Sequence, residues 1–314
     1  MNVFEELDAK IEEIYARTNG NKLIIWGWGE TGQFLYSRFL ADNKKVDCVI
    51  DENVIYYGSQ IRSHYCLEYY NPELTSILVT PAVGIDVIKN ILKEYGYCDK
   101  NIIYVREYFY GTEHMNYPLE YYQWLEYQYG VEILEHKSAK EQGYLKEKRE
   151  FNVYGYGKGY PLEILLREFQ FKEHDAVFDF GCGKGEALVM FARAGVHNLG
   201  GIEYDSEIYD RAVENLKMLN IQNEIMCGNA MDVGNDILDD YNYFFMFDPF
   251  VGDVFRKVIE NIEKSYEHKR RKIILIYGAP RCHKDVIRNN KFKFIKEREN
   301  LYAITRTTNI YILN

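Results

Sequence analysis

The stretch FDFGCGKGE, residues 178–186, decides the fold of the later half of this chain. An apolar run ends around an acid, and glycine then occupies every second position, at 181, 183 and 185. Alternating glycines let a backbone turn sharply from strand to helix and lie against a ligand with no Cβ in the way. The helix that begins there aims its free N–H groups and positive dipole end at whatever binds. A P-loop requires GxxxxGK[ST]; here Lys184 precedes Gly185, and no glycine stands five residues before Gly183, so that reading fails. Glu203 closes the next strand-like run, 18 residues past Gly185. A carboxylate there can accept both hydroxyl protons of a ribose.

Asp179 separates the ligand classes that such a turn serves. A carboxylate at the strand end repels a pyrophosphate and attracts an ammonium group, which the methionyl part of S-adenosylmethionine (SAM) carries. The order D-x-G-x-G-x-G, then an acid closing the second strand, resembles class I SAM-dependent methyltransferases over residues 151–314. The resemblance implies SAM as cofactor, with Asp179 toward the methionyl amine. It also implies Gly181, Cys182, Gly183 and Gly185 in the cradle, and Glu203 with Tyr204 at the ribose. CGNAMDV, residues 227–233, resembles the family's adenine-contacting segment, with Asn229 where Asp is commoner and Ala230 beside it. YFFMFDPF, residues 243–250, resembles the fourth motif, [DN]-P-P-[FYW], one proline short. In the full motif the acid or amide, with a backbone carbonyl, holds the target amine while the aromatic packs on a planar substrate. Asp248, Pro249 and Phe250 are therefore the catalytic candidates, with Asp248 orienting or deprotonating an acceptor O–H or N–H. A cap on the following helix is the other reading of Asp248. Cys182 reads as a small residue in a tight loop rather than a nucleophile.

A second cluster, GWGETG at residues 27–32, follows the apolar run KLIIW and opens a helical pattern. It meets the GxGxxG template, and Asp51 ends the next strand, 19 residues past Gly32. Gly27, Gly29, Gly32 and Asp51 are candidates for a second nucleotide site. The span 21–108 resembles the small Rossmann-like domains attached to bacterial sugar-modifying enzymes, which implies a pocket for a nucleotide-linked sugar or a carrier. The alternative is a scaffold: Trp28 is bulky where a pyrophosphate must approach, and no Tyr-x-x-x-Lys follows within residues 21–108.

Strands alternate with helices on both sides of a polar middle, the pattern of parallel sheets with crossovers. The expected fold is α/β with two Rossmann-like domains, over residues 1–112 and 156–314. The later one is expected to hold a mostly parallel sheet with an antiparallel closing strand. A helical connector is expected over 113–155, ending in VYGYGKGYP, where Tyr154, Tyr156 and Tyr160 are candidate lid residues. Helices are expected at about 4–18 and over LEILLREFQF, and strands over NEIMCGNA and YNYFFMFDPF.

Composition sets the outer bounds. At 314 residues and 47% hydrophobic, the chain can bury two cores. No apolar run approaches the roughly 18 residues of a membrane span. The acidic, helically periodic start lacks the order of a signal peptide. Six cysteines form no CxxC pair and no cluster at metal-ligand spacing, which suits reduced thiols in the cytoplasm and no metal. The formal charge of −10 divides as −5 over 1–112, −3 over 113–155 and −2 over 156–314. That balance argues against a nucleic-acid partner, since phosphate binding needs a basic face; HKRRK at 268–272 reads as a solvated helix end. His114, His136, His174, His197, His268 and His283 lie in polar stretches and read as surface residues. The expected function is methyl transfer from SAM to an oxygen or nitrogen of a small molecule or saccharide, with no membrane partner and a homo-oligomer left open. Alternatives are a protein or nucleic-acid methyltransferase, a non-catalytic nucleotide-binding sensor, and a nicotinamide-dependent reductase acting through GWGETG.

Overall fold

In the computed structural model each glycine motif follows the first strand of its own sheet. The structure describes residues 3–53, 61–81, 83–105, 126, 129–133, 162, 165–299 and 307–314. The chain divides into two units, Met1–Trp124 and Leu125–Asn314.

In the first unit, helix α1 (Val3–Ala16) precedes β1 (Lys22–Trp26), α2 (Glu30–Ala41), β2 (Cys48–Ile50), β3 (Ile61–Arg62), β4 (Thr75–Val79), α3 (Ile85–Glu94) and β5 (Ile102–Tyr104). The five strands are parallel, in the order β3-β2-β1-β4-β5. Strands covered on both faces read as unbroken apolar runs, as LIIW and SILV do; β4 is buried at every position. On α3, Ile88 and Leu92 face inward, one turn apart. Strand β3 and the 3-10 helix His64–Tyr69 were not legible in IRSHYCLEYY, because a two-residue strand carries no periodicity.

In the second unit, β6 (Ala176–Phe180), α4 (Glu186–Arg193), β7 (Asn198–Glu203), α5 (Ser206–Met218), β8 (Glu224–Cys227) and α6 (Asn235–Leu238) come first. Strand β9 (Tyr243–Phe247), α7 (Gly252–His268), β10 (Ile273–Gly278), α8 (His283–Val286), β11 (Lys293–Glu299) and β12 (Thr307–Leu313) follow. The sheet order is β11-β12-β10-β9-β6-β7-β8. Strand β12 runs antiparallel to both β10 and β11, and the other neighbours pair in parallel. This is the α/β fold expected, with the antiparallel strand inserted between its neighbours. Phe178, Phe180, Phe244, Met246 and Tyr277 of the sheet share one core with Val254, Phe255, Val258 and Ile262 of α7. Burying each such side chain contributes about 1.5–3 kcal/mol.

Three expectations change. The helix over LEILLREFQF stops at Leu166. Phe169 and Phe171 leave it and pack on Tyr243 at 6.0 and 5.1 Å, so tertiary aromatic contacts override helix propensity. The strand over NEIMCGNA ends at Cys227, because Asn229 caps a 3-10 turn at Ala230–Asp232. His283 is half-buried and partnered: its Nδ1 lies 2.8 Å from the Tyr311 hydroxyl, and its ring is edge-on to Phe294 at 5.4 Å. Most of the connector expected over 113–155 lies outside the described residues, as do Tyr154, Tyr156 and Tyr160.

Candidate functional site

Strand β6 delivers Asp179 to the start of the second glycine turn with 2% of its surface exposed. Its strand neighbour in register is Gly201 of β7. A Cβ on Gly201 would come within 2.9 Å of the Asp179 carbonyl oxygen and 3.1 Å of Cys182 Cβ, so Gly201 makes room for the turn, whereas Gly200 makes room for the Tyr241 ring. Burial holds the Asp179 carboxyl well above the ordinary aspartate range, and the charges of Glu186 and Glu203 push it further the same way. The Cys182 thiol is buried and pushed up as well, first by desolvation and then by Asp179 and Glu203. A protonated thiol in that position is no nucleophile.

Glu203, at the end of β7, reaches back to the turn. The Gly183 N–H donates to its Oε2 at 3.0 Å, and the Asp205 N–H to its Oε1 at 3.0 Å. Burial still raises this carboxyl, against those two donors and the Tyr204 amide. Asp205 then caps α5, accepting from the amides of Glu207 and Ile208. Glu186 sits in the first turn of α4, so three carboxylates, Asp179, Glu186 and Glu203, converge on one strand–turn–helix junction.

The glycines of this turn are required first by the protein itself. Gly181 has φ +80°, and a Cβ there would lie 2.6 Å from Pro249 Cβ. Gly185 has φ +92°, and its Cβ would press Leu216 Cγ at 3.3 Å. The close approach inferred from sequence is thus made in part by the DPF segment on one side and α5 on the other. Pro249 packs against the turn, which places the end of β9 beside it.

Asp248 adopts φ +48°, a left-handed conformation that costs a non-glycine residue about 1 kcal/mol or more. Its Oδ1 accepts from Arg281 Nε at 2.6 Å. The N-cap position of α7 is Val251, three residues further on. Phe250 is 2% exposed and belongs to the core, 6.3 Å from the Phe255 ring. The substrate-stacking role that the resemblance implied for Phe250 is corrected accordingly: the side chain fills the core under the loop. Asn229 Oδ1 accepts from the Met231 amide at 3.0 Å, and Ala230 is buried beside it.

The first glycine turn is tighter. A Cβ on Gly27 would meet Thr80 Oγ1 at 2.5 Å, and one on Gly32 would meet the Gly27 carbonyl oxygen at 1.9 Å, whereas Gly29 faces no protein atom within 4 Å. Asp51 is near the turn, as its spacing implied, and its Oδ2 accepts from the Trp28 amide at 2.6 Å. Its Oδ1 accepts from the Asn53 amide. The Trp28 ring lies edge-on to Tyr36, 5.4 Å away.

Sequence reasoning missed Glu186, Arg281 and Asn215. Glu186 had a signal, as the acid directly after Gly185; Arg281 and Asn215 are remote in sequence from what they touch and had none.

No family model matches the chain. Solved structures similar to it include an S-adenosylmethionine-dependent methyltransferase from Clostridium acetobutylicum, with a TM-score of 0.36 and 9% identity, covering 45% of this chain and 85% of that one. The mitomycin 7-O-methyltransferase is similar with a TM-score of 0.39 and 10% identity, over 50% of this chain and 54% of that one. The Pyrococcus abyssi tRNA (uracil-54, C5)-methyltransferase, solved with S-adenosyl-L-homocysteine, gives a TM-score of 0.41 and 12% identity, over 52% of this chain and 40% of that one. Likeness at this level concerns architecture, and the chemistry below rests on this chain's own residues. Among the described residues, no helix is long and apolar enough to cross a membrane.

Proposed function

We propose that the second unit is a SAM-dependent methyltransferase acting on an oxygen or nitrogen of a small molecule or saccharide. One observation carries this: a carboxylate 2% exposed at the mouth of a glycine turn, with two further carboxylates around it. Such a cluster repels a pyrophosphate and is relieved by a cation, so a nucleoside bearing an ammonium group fits where a dinucleotide does not. The residues present fit SAM in that sense. Asp179 would receive the methionyl amine, Glu203 the ribose hydroxyls, and Asn229 with the Ala230 amide the adenine. SAM supplies an activated methyl group on a sulfonium, and the protein's task is placement, for which near-attack alignment contributes about 7–11 kcal/mol.

Asp248 is the residue to hold the acceptor. The Arg281 guanidinium fixes its carboxylate, and the strained backbone at Asp248 sits beside the cofactor turn through Pro249. The carboxylate then orients the acceptor O–H or N–H and takes its proton as the new bond forms. A small acceptor is favoured by the near-neutral charge balance of residues 156–314, since phosphate binding draws on an excess of basic residues. Six cysteines without a disulfide suit a cytoplasmic enzyme.

Calorimetric titration with S-adenosylhomocysteine (SAH) tests the reading, with micromolar-range binding to wild type expected. Glu203→Ala should bind more weakly, and equal binding would remove the ribose role. Asp248→Ala should keep SAH affinity but lose the one-methyl mass gain in a cell extract supplied with SAM. Undiminished transfer by that variant would take Asp248 out of the mechanism.

A further inference from the structure

Helix α5 braces the outer side of the cofactor turn at two consecutive residues. Leu216, fully buried, fills the place where a Gly185 side chain would stand. Asn215, 1% exposed, donates from Nδ2 to the Lys184 carbonyl at 3.1 Å. The same amide holds a second piece of chain, 83 residues upstream. The Glu132 N–H donates to Asn215 Oδ1 at 2.9 Å, and Asn215 Nδ2 donates to the Glu132 carbonyl at 3.1 Å. One buried amide therefore satisfies both backbone groups of Glu132 and one carbonyl of the glycine turn.

The upstream segment is built to dock there. Gly130, at φ +70°, donates to the Glu126 carbonyl at 3.0 Å. Val131 and Ile133 on either side of Glu132 are 2% and 0% exposed. The Ile133 amide donates to Glu126 Oε1 at 2.7 Å, and Glu132 Oε2 pairs with Arg211 Nε of α5 at 3.2 Å. Nothing in these contacts is needed to complete the seven-stranded sheet.

A hydrogen-bonded amide shared between two segments makes the position of each depend on the other. If segment 131–133 undocks, Asn215 loses the partners that fix its rotamer, and the Lys184 carbonyl loses a fixed donor. We propose that Asn215 is a positioning residue for the cofactor turn, and that through it the docking of segment 131–133 and cofactor binding are mutually reinforcing. The inference rests on the turn being the SAM site. Coupling of this kind is reciprocal, so the cofactor must tighten the segment by the factor the segment tightens the cofactor.

The experiment uses the full chain and SAH as probe. Titrations compare wild type, Asn215→Ala and the double variant Val131→Ala/Ile133→Ala, with the melting temperature of each and hydrogen exchange of residues 126–133 with and without SAH. Both variants should raise the SAH Kd by about tenfold, within the usual range of coupling. In wild type SAH should slow exchange at the Glu132 amide, and in Asn215→Ala that protection should vanish. The double variant leaves the turn itself untouched and covers the case in which Asn215→Ala does not fold. A double variant with lowered melting temperature but wild-type SAH affinity would show Asn215 to be merely structural and overturn the coupling alone. Wild type that fails to bind SAH would overturn the methyltransferase reading, and this proposal with it.

Discussion

Two residues before its first glycine, the earlier turn carries Ile25 and the later one Asp179. Both positions are desolvated, Ile25 at 0% exposure and Asp179 at 2%. The flanking design is otherwise shared: a parallel strand, a glycine turn, a helix, and an acid on the neighbouring strand that accepts a turn amide, Asp51 from Trp28 and Glu203 from Gly183. An isoleucine there adds to the core, whereas an aspartate there weakens it unless a cation arrives. The comparison teaches that the glycines of both motifs report backbone geometry, and that ligand chemistry is written in the one position that the fold would prefer apolar.

The largest effect is expected from a methyl group added at Gly32. Gly32→Ala should cost more than about 4 kcal/mol, because the new Cβ meets a backbone oxygen that cannot withdraw. A shift of the unfolding midpoint to lower denaturant in a titration of the full chain would register it. Near wild-type stability would mean that this turn is far looser than described.

Next in size, Asp179→Asn should weaken SAH binding about 10- to 100-fold, the worth of a charged hydrogen bond of roughly 1.5–3 kcal/mol. The same change should make the empty protein more stable at pH above the raised carboxyl value, where it removes a desolvated charge. Opposite signs for affinity and stability are the signature, and parallel losses would argue that Asp179 is a packing residue.

The pH dependence follows from the same group. A folded carboxyl held above its unfolded value of about 4 contributes stability that is complete below that value and lost as pH climbs through the raised one. The empty chain should accordingly lose stability over that interval, with burial the main cause. Binding of an ammonium selects the ionised form, so SAH should release a proton and bind more tightly as pH rises. Titration in two buffers of different ionisation enthalpy measures that proton directly, and a release of zero contradicts the electrostatic account.

Asp51→Ala should lower the stability of its own turn by about 1–3 kcal/mol through the orphaned Trp28 amide, and leave SAH affinity unchanged. Smallest of all, Gly29→Ala should stay within about 0.5 kcal/mol of wild type, since no atom lies within 4 Å of the new methyl and φ is −68°. We also expect that a thermal-shift series with NAD, NADP and nucleotide sugars probes this open position. A rise confined to wild type and absent in Gly29→Ala would favour a ligand over a scaffold.

Much of the architecture was legible because alternation of apolar runs with helical patterns is a local signal. Asp179, the glycines and Glu203 were legible for the same reason, lying within 25 residues of one another. What stayed hidden was made by contacts distant in sequence. Phe250 looked like a platform until the sheet closed over it, and Arg281 gave no sign of Asp248, 33 residues away. Gly181 was read as space for a ligand, yet its nearest claimant is Pro249, and no local pattern encodes which of two neighbours fills a gap.

Strand β12 follows β11 in sequence yet lies between β10 and β11 and not at the rim. During synthesis β10 and β11 therefore wait with their facing edges unpaired until residues 307–313 leave the ribosome. Such open edges invite pairing with other nascent chains. Deletion of residues 307–313 should consequently be felt as poor yield and inclusion bodies well before it is felt at the turn of residues 181–185.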